Sequence, residues 1–200
     1  MRTIIFAIGT STMLACVASA QQKGMFVIDV IGGPVSPTNP SVTVMISAVF
    51  PQQYWAFGQT AFDLGSSDPT GEFVNILKPT GVGGLPASAF CAPWKPGIPD
   101  GAGGVESIGA FQISVLGCGP NPFNPIQIWE ATWTTSDFAP REVTLSTVNI
   151  NLFSVYTNSQ SSVPDVFLNY EPASTIFQVI PAPSGALALF GLALASRRRR

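Results

Sequence analysis

The chain contains no histidine. That removes the commonest general base, the commonest zinc ligand and any Ser-His or Cys-His nucleophile pair. Charge is scarce as well: 10% of residues are Asp, Glu, Lys or Arg, against roughly a quarter in ordinary globular chains. The charges are also unevenly placed. Arg2 and Arg197 to Arg200 account for five of the nine bases, whereas all 11 acids fall between Asp29 and Glu171. The interior segment keeps Lys23, Lys78, Lys95 and Arg141, for a net charge of about −7. A surface of that sign has nothing to neutralise phosphates, which excludes nucleic acid as a partner. Cysteine is rare, with three in the chain. Outside the ends there is no long run of 3.6-residue periodicity, which excludes a helical domain.

The two ends read as addresses. Residues 1–20 carry Arg2, an apolar stretch, and then Ala18-Ser19-Ala20 before Gln21. Small residues at Ala18 and Ala20 fit a secretory signal peptide cleaved ahead of Gln21. A lipoprotein reading around Leu14-Ala15-Cys16 competes with it, but Met13 stands where such a motif has leucine. At the other end, Pro181-Ala182-Pro183 precede a Gly/Ala/Leu-rich segment and the terminal Arg197, Arg198, Arg199 and Arg200. As a helix, residues 185–196 reach about 18 Å at ~1.5 Å per residue, short of the ~30 Å hydrocarbon core. The arginines belong on the cytoplasmic side, so the segment predicts a transient tether with the bulk of the protein outside. A plain tail anchor is the competing reading.

The order motif, short hydrophobic segment and arginine cluster over residues 179–200 resembles a PEP-CTERM sorting signal. The resemblance implies recognition by an exosortase-type membrane enzyme. It further implies tail removal after transient inner-membrane tethering, a cell-surface or extracellular destination in a Gram-negative bacterium, and association with exopolysaccharide. Ala182 departs from the glutamate of the family's name.

Residues 21–178 read as one domain. Val42, Val44, Ile46, Ala48 and Phe50 alternate with Thr43, Met45, Ser47 and Val49. Phe111, Ile113 and Val115 alternate with Gln112 and Ser114, and Trp129, Ala131 and Trp133 alternate with polar neighbours. Period two marks half-buried strands. Further strands are expected over residues 25–31, 54–63, 73–77, 142–147, 163–169 and 175–180. Val148, Ile150 and Leu152 share a face and Phe153 and Val155 the other, a slip that predicts a β-bulge near Leu152. Segments rich in Gly and Pro over residues 32–40, 78–86, 93–104 and 117–125 read as loops. The expected fold is all-β, a single antiparallel β-sandwich of Ig-like or jelly-roll-like type, with a barrel as the alternative. A signal peptide and a short C-terminal hydrophobic helix flank it. The run from residue 41 to 50 followed by 54–65 loosely resembles Ig-like and cohesin-like sandwiches of surface proteins.

Loss of Cys16 with the signal peptide leaves Cys91 and Cys118, an even count in an exported chain and hence an expected disulfide. Two free thiols are the alternative. Paired carboxylates among Asp63, Asp68, Glu72, Glu130, Glu142 and Asp165 would be needed for glycoside hydrolysis. Scattered acids serve solubility more often, and the expectation is a non-enzyme without cofactor or metal. The loop Asp63 to Glu72 offers oxygens suited to calcium, but it lacks the EF-hand order and reads better as an Asx turn. Tyr54, Trp55 and Trp94 are candidates for stacking on sugar rings. Trp129 and Trp133 belong to the core. The expected role is a structural or interaction component at the cell surface or in the extracellular matrix. The alternatives are a carbohydrate-binding module using exposed aromatics and a carboxylate-dependent hydrolase.

Overall fold

The alternation that begins at Ser41 becomes β2 (Ser41–Val49), in which Val42, Val44, Ile46 and Ala48 are buried and their neighbours half-exposed. In the computed structural model, the described residues are 23–182 apart from 89–90 and 115–117. They contain no helix, and none that is long and apolar enough to cross a membrane. The expected signal peptide (Ala18, Ala20, Gln21), Cys16, the C-terminal helix, Pro183 and Arg197 to Arg200 lie outside them. Pro181 and Ala182 are the last described residues, separated from the final strand by Ile180.

Eleven strands are described. β1 is Lys23–Ile31, β3 Ala56–Ser66, β4 Gly71–Leu77, β5 Trp94–Pro99, β6 Val105–Phe111, β7 Ile126–Thr135 and β8 Arg141–Tyr156. The short β9 (Val166–Phe167) and β10 (Asn169–Glu171) precede β11 (Ser174–Val179). One sheet has the order β10-β1-β2-β7-β4 and the other β11-β8-β3-β6-β5, with β9 added to β8. All neighbours are antiparallel except β10, which runs parallel to β1. The fold is thus the expected two-sheet sandwich, not a barrel.

Both sheets contribute to one core. Phe26, Phe57, Phe62 and Phe153 meet in edge-on and tilted pairs with ring centroids 5.1–5.6 Å apart. Trp129 stacks edge-on to Phe73, and Trp133 to Phe177. Such pairs add about 0.5–1.5 kcal/mol beyond the area they bury. Gly71 makes the Trp133 position possible: a Cβ there would lie 2.1 Å from Trp133 Cζ2.

Three local expectations are corrected. The Gly/Pro run 93–104 is not all loop, because Trp94–Pro99 forms the edge strand β5. Strands tolerate proline at an edge, where no partner needs its missing N–H. The inward positions of β6 and its continuation are Ile108, Ala110 and Gln112, so Phe111 and Ile113 are only half-buried. The bulge exists close to Leu152, since Ala61 pairs with Leu152 but Asp63 with Val148. It takes up two extra residues, however, so the parity survives. Val143, Leu145, Phe153 and Val155 all face inward, and Val148 is 40% exposed.

Candidate functional site

The sandwich has two poles of different character. At one, the turn after β3 meets the turn between β7 and β8. Asp68 is 3% exposed, and its Oδ2 accepts from Arg141 Nε at 2.9 Å and Nη2 at 2.7 Å. Its Oδ1 accepts from the Thr70 amide and hydroxyl. Burial pushes this carboxyl up, but the Thr70 and Arg141 hydrogen bonds outweigh it and hold it below its ordinary value. Arg141 also donates to the Asp137 and Ala139 carbonyls. This is an Asx turn bolted to a guanidinium, and it accounts for the acidic loop without calcium. Among the described residues no group of three acids or cysteines could hold a metal ion.

The other candidate carboxylates are mostly tied into the scaffold. Asp63 accepts from the Ser107 amide and from Asn149 Nδ2, both at 2.7 Å. Glu130 accepts from Gln127, Glu142 from Gln178, and Asp165 from Thr157 and Ser161. Glu72 lines an open depression of about 500 Å³ at the Arg141 pole with no second candidate carboxylate on its wall.

The opposite pole holds an open cleft of about 670 Å³. Residues 52–55, between β2 and β3, form one wall. Residues 122–124, before β7, form the other, and Thr157 completes the lining. Tyr54 and Trp55, two of the three candidate aromatics, both line the cleft; both are half-buried, and Tyr54 also packs against the core. Phe123, which the sequence did not single out, joins them and is 47% exposed. Trp94 does not join them. It sits on β5, half-buried against the core, and its indole donates to the Ile128 carbonyl at 3.0 Å.

A buried polar network braces the cleft. The Trp55 amide donates to the Tyr156 carbonyl at 2.8 Å, and the Trp55 ring packs edge-on to Tyr156. The Tyr156 hydroxyl donates to the Gln112 carbonyl at 2.7 Å. Gln112 is fully buried; its Nε2 donates to the Phe57 carbonyl and its Oε1 accepts from the Asn121 amide. Asn121 donates to Gly84 O and accepts from the Phe123 amide, and Asn124 exchanges hydrogen bonds with the Phe50 backbone. A network with every member satisfied fixes a loop in one arrangement. Burial pushes the Tyr156 hydroxyl up to about 12; contact with the Ser114 backbone opposes this and the charge of Asp165 adds to it.

The expected disulfide is present. Cys91 and Cys118 are joined with Cα atoms 5.5 Å apart. It links the segment entering β5 to the start of the loop that carries Phe123, and the Ile113 amide donates to the Cys91 carbonyl beside it.

With this geometry established, the class is that of a cohesin-like β-sandwich. The chain is similar to the cohesin module of a family 33 glycoside hydrolase from Clostridium perfringens, with a TM-score of 0.56 and 9% identity over 80% of this chain and 98% of that module. It is also similar to the seventh ScaB type I cohesin of Pseudobacteroides cellulosolvens, with a TM-score of 0.51 and 13% identity over 80% and 92% of the two chains. At these identities the likeness is one of fold. No protein-family model matches the chain, and no curated protein matches its sequence.

Proposed function

We propose that this chain is an exported, non-catalytic β-sandwich module that works at the cell surface or in the extracellular polymer matrix of a Gram-negative bacterium. Its role there is structural or adhesive, in association with exopolysaccharide. An exosortase-type enzyme recognises Pro181-Ala182-Pro183 and removes the tail after brief tethering. The observation that carries the reading is the Cys91–Cys118 bridge together with an open cleft whose loops are held by buried hydrogen bonds. A staple of that kind persists in oxidising compartments, and a braced concave surface suits recognition. The commitment of five of six candidate carboxylates to scaffold hydrogen bonds supports a binding module over a hydrolase. The Clostridium perfringens neighbour offers a parallel, being a module of a glycoside hydrolase.

Intact mass spectrometry of the protein from its native host, fraction by fraction, tests this. The expected species begins at Gln21, ends between Pro181 and Ser184, and lies outside the cell. A chain still ending at Arg200 and confined to membranes overturns the sorting claim.

A further inference from the structure

We infer that the cleft between residues 52–55 and 122–124 binds an uncharged polysaccharide by stacking pyranose rings on Tyr54, Trp55 and Phe123; this rests on the proposed extracellular role, which supplies the ligand's setting.

The cleft lining has no acidic or basic side chain. On a domain with a net charge of about −7, that gap is informative. An anionic polymer finds no cation there, and a cationic one finds no carboxylate on the walls. Asp165 is not part of the lining, and its carboxylate accepts from the Thr157 amide and hydroxyl. What the walls present is three aromatic rings together with the amide of Gln52 and the hydroxyl of Tyr54. Among the described residues, neither the Gln52 amide nor the Tyr54 hydroxyl has a hydrogen-bond partner. A pyranose has the matching chemistry. Its axial C–H face is apolar and buries against a ring, and its equatorial hydroxyls need donors and acceptors at the rim. A lipid chain would instead call for an enclosed apolar cavity.

The cleft is also built before any ligand arrives. Trp55 is held by the Tyr156 backbone and ring, and the Phe123 loop hangs from Asn121, Gln112 and the Cys118 bridge. Little ordering is left to be done on binding, which raises affinity for a given contact area. An open groove at a pole lets a polymer run through without presenting a chain end.

The test is affinity electrophoresis of the full chain, purified in a detergent without a sugar headgroup. The gels contain dextran, laminarin, hydroxyethylcellulose or galactomannan as neutral probes, and alginate as the charged one. The expected result is retardation by at least one neutral polymer, unchanged between low and high salt. Phe123→Ala and Trp55→Ala should each weaken it about tenfold, the change a lost ring contact of about 1.4 kcal/mol gives. Phe167→Ala, an exposed aromatic on β9 outside the cleft, should leave it unchanged. Trp55 supports Tyr156, so Phe123→Ala is the decisive variant if Trp55→Ala unfolds. The inference is overturned if no neutral polymer retards the chain, if Phe123→Ala binds like the parent, or if only alginate binds and salt abolishes it. It is likewise overturned if a proline-rich peptide occupies the cleft while no glycan does. Matrix localisation without glycan binding would sink this inference alone; glycan binding by a chain confined to membranes would sink the sorting claim alone.

Discussion

Trp94 and Trp129 clasp the sandwich from opposite sheets. The Trp94 indole donates to Ile128 O of β7 at 3.0 Å, and the Trp129 indole donates to Pro96 O of β5 at 2.9 Å. Each ring therefore satisfies the backbone of the other's strand while filling the gap between the sheets. The clasp also explains how β5 holds its place at the edge, although Pro96 and Pro99 cannot donate to β6. Trp94→Phe keeps much of the packing but leaves the Ile128 carbonyl without its donor, at about 1–2 kcal/mol. Trp94→Ala adds a cavity and costs about 3–5 kcal/mol. Chemical denaturation measures both, and neutral-polymer retardation should survive Trp94→Phe.

The Arg141 pole predicts an acid limit. The Asp68 carboxyl titrates below its ordinary value of 3.8 in the folded chain. A depressed carboxyl contributes stability that is present above the unfolded value and is lost as pH falls through the folded one. Unfolding free energy should thus drop as pH falls below about 4. Arg141→Ala leaves a buried carboxylate without its partner and costs about 3 kcal/mol at neutral pH. It should also flatten or reverse the acid slope, because burial then dominates at Asp68. Denaturant titrations from pH 6 to pH 3 on the parent and the variant decide the matter; an unaltered slope in Arg141→Ala sinks the assignment.

Asp63 fixes two bulges at once. Its carboxylate accepts from the Ser107 amide on β6 and Asn149 Nδ2 on β8, and both residues are left-handed, with φ of 58° and 49°. The register of β3 shifts against both neighbours at this point. Asp63→Ala removes both exposed bonds and should cost about 1–3 kcal/mol, at ~0.5–1.5 kcal/mol per hydrogen bond. Ser107→Gly keeps the amide donor and suits the backbone, so its thermal midpoint should match or exceed the parent's. Ser107→Val, β-branched in a left-handed site, should lose about 1–2 kcal/mol.

Strands β2 and β7 were legible because each has one face in the core and one toward solvent, so burial writes a period of two into the sequence. β5 was not: Trp-Lys-Pro-Gly-Ile-Pro carries the residues of a loop, and its strand character comes from β6 and the tryptophan clasp, both distant in sequence. Gln112 misled in the opposite way. A glutamine at a strand's end reads as outward, yet here its amide is consumed by Phe57 and Asn121 inside the fold. At the cleft, Tyr54 and Trp55 announced themselves as neighbouring aromatics. Phe123 lay hidden in a Pro/Asn-rich segment, where the one signal was a large apolar residue standing among turn formers.

Reduction of the Cys91–Cys118 bridge separates stability from site geometry. A closed loop with a separation of 27 residues predicts about 3.5 kcal/mol of stabilisation in the chain-entropy model. The Cys91→Ser/Cys118→Ser chain should lose that amount by denaturant titration while keeping its strands, because the strand ladders and the one core between the sheets are held by contacts that do not run through the bridge. A loss below about 1 kcal/mol would mean that the 92–117 segment is already ordered in the unfolded chain.

The network behind the cleft has an alkaline signature. Tyr156 titrates near 12 in the folded chain, against an ordinary value of 10.0. A raised folded value means stability fully present below the unfolded value and lost as pH rises through the folded one. Unfolding free energy should therefore hold up to about pH 10 and decline between pH 10 and 12. Tyr156→Phe keeps the ring against Trp55, removes the hydroxyl donor to Gln112 O, and costs about 1 kcal/mol at neutral pH. In the same variant Tyr156's share of the alkaline decline should vanish, so the parent's lead should shrink to nothing and then invert between pH 10 and 12. Curves that stay parallel across that range would mean that the Tyr156 hydroxyl is not buried in the folded chain, and would remove the buried brace behind the cleft.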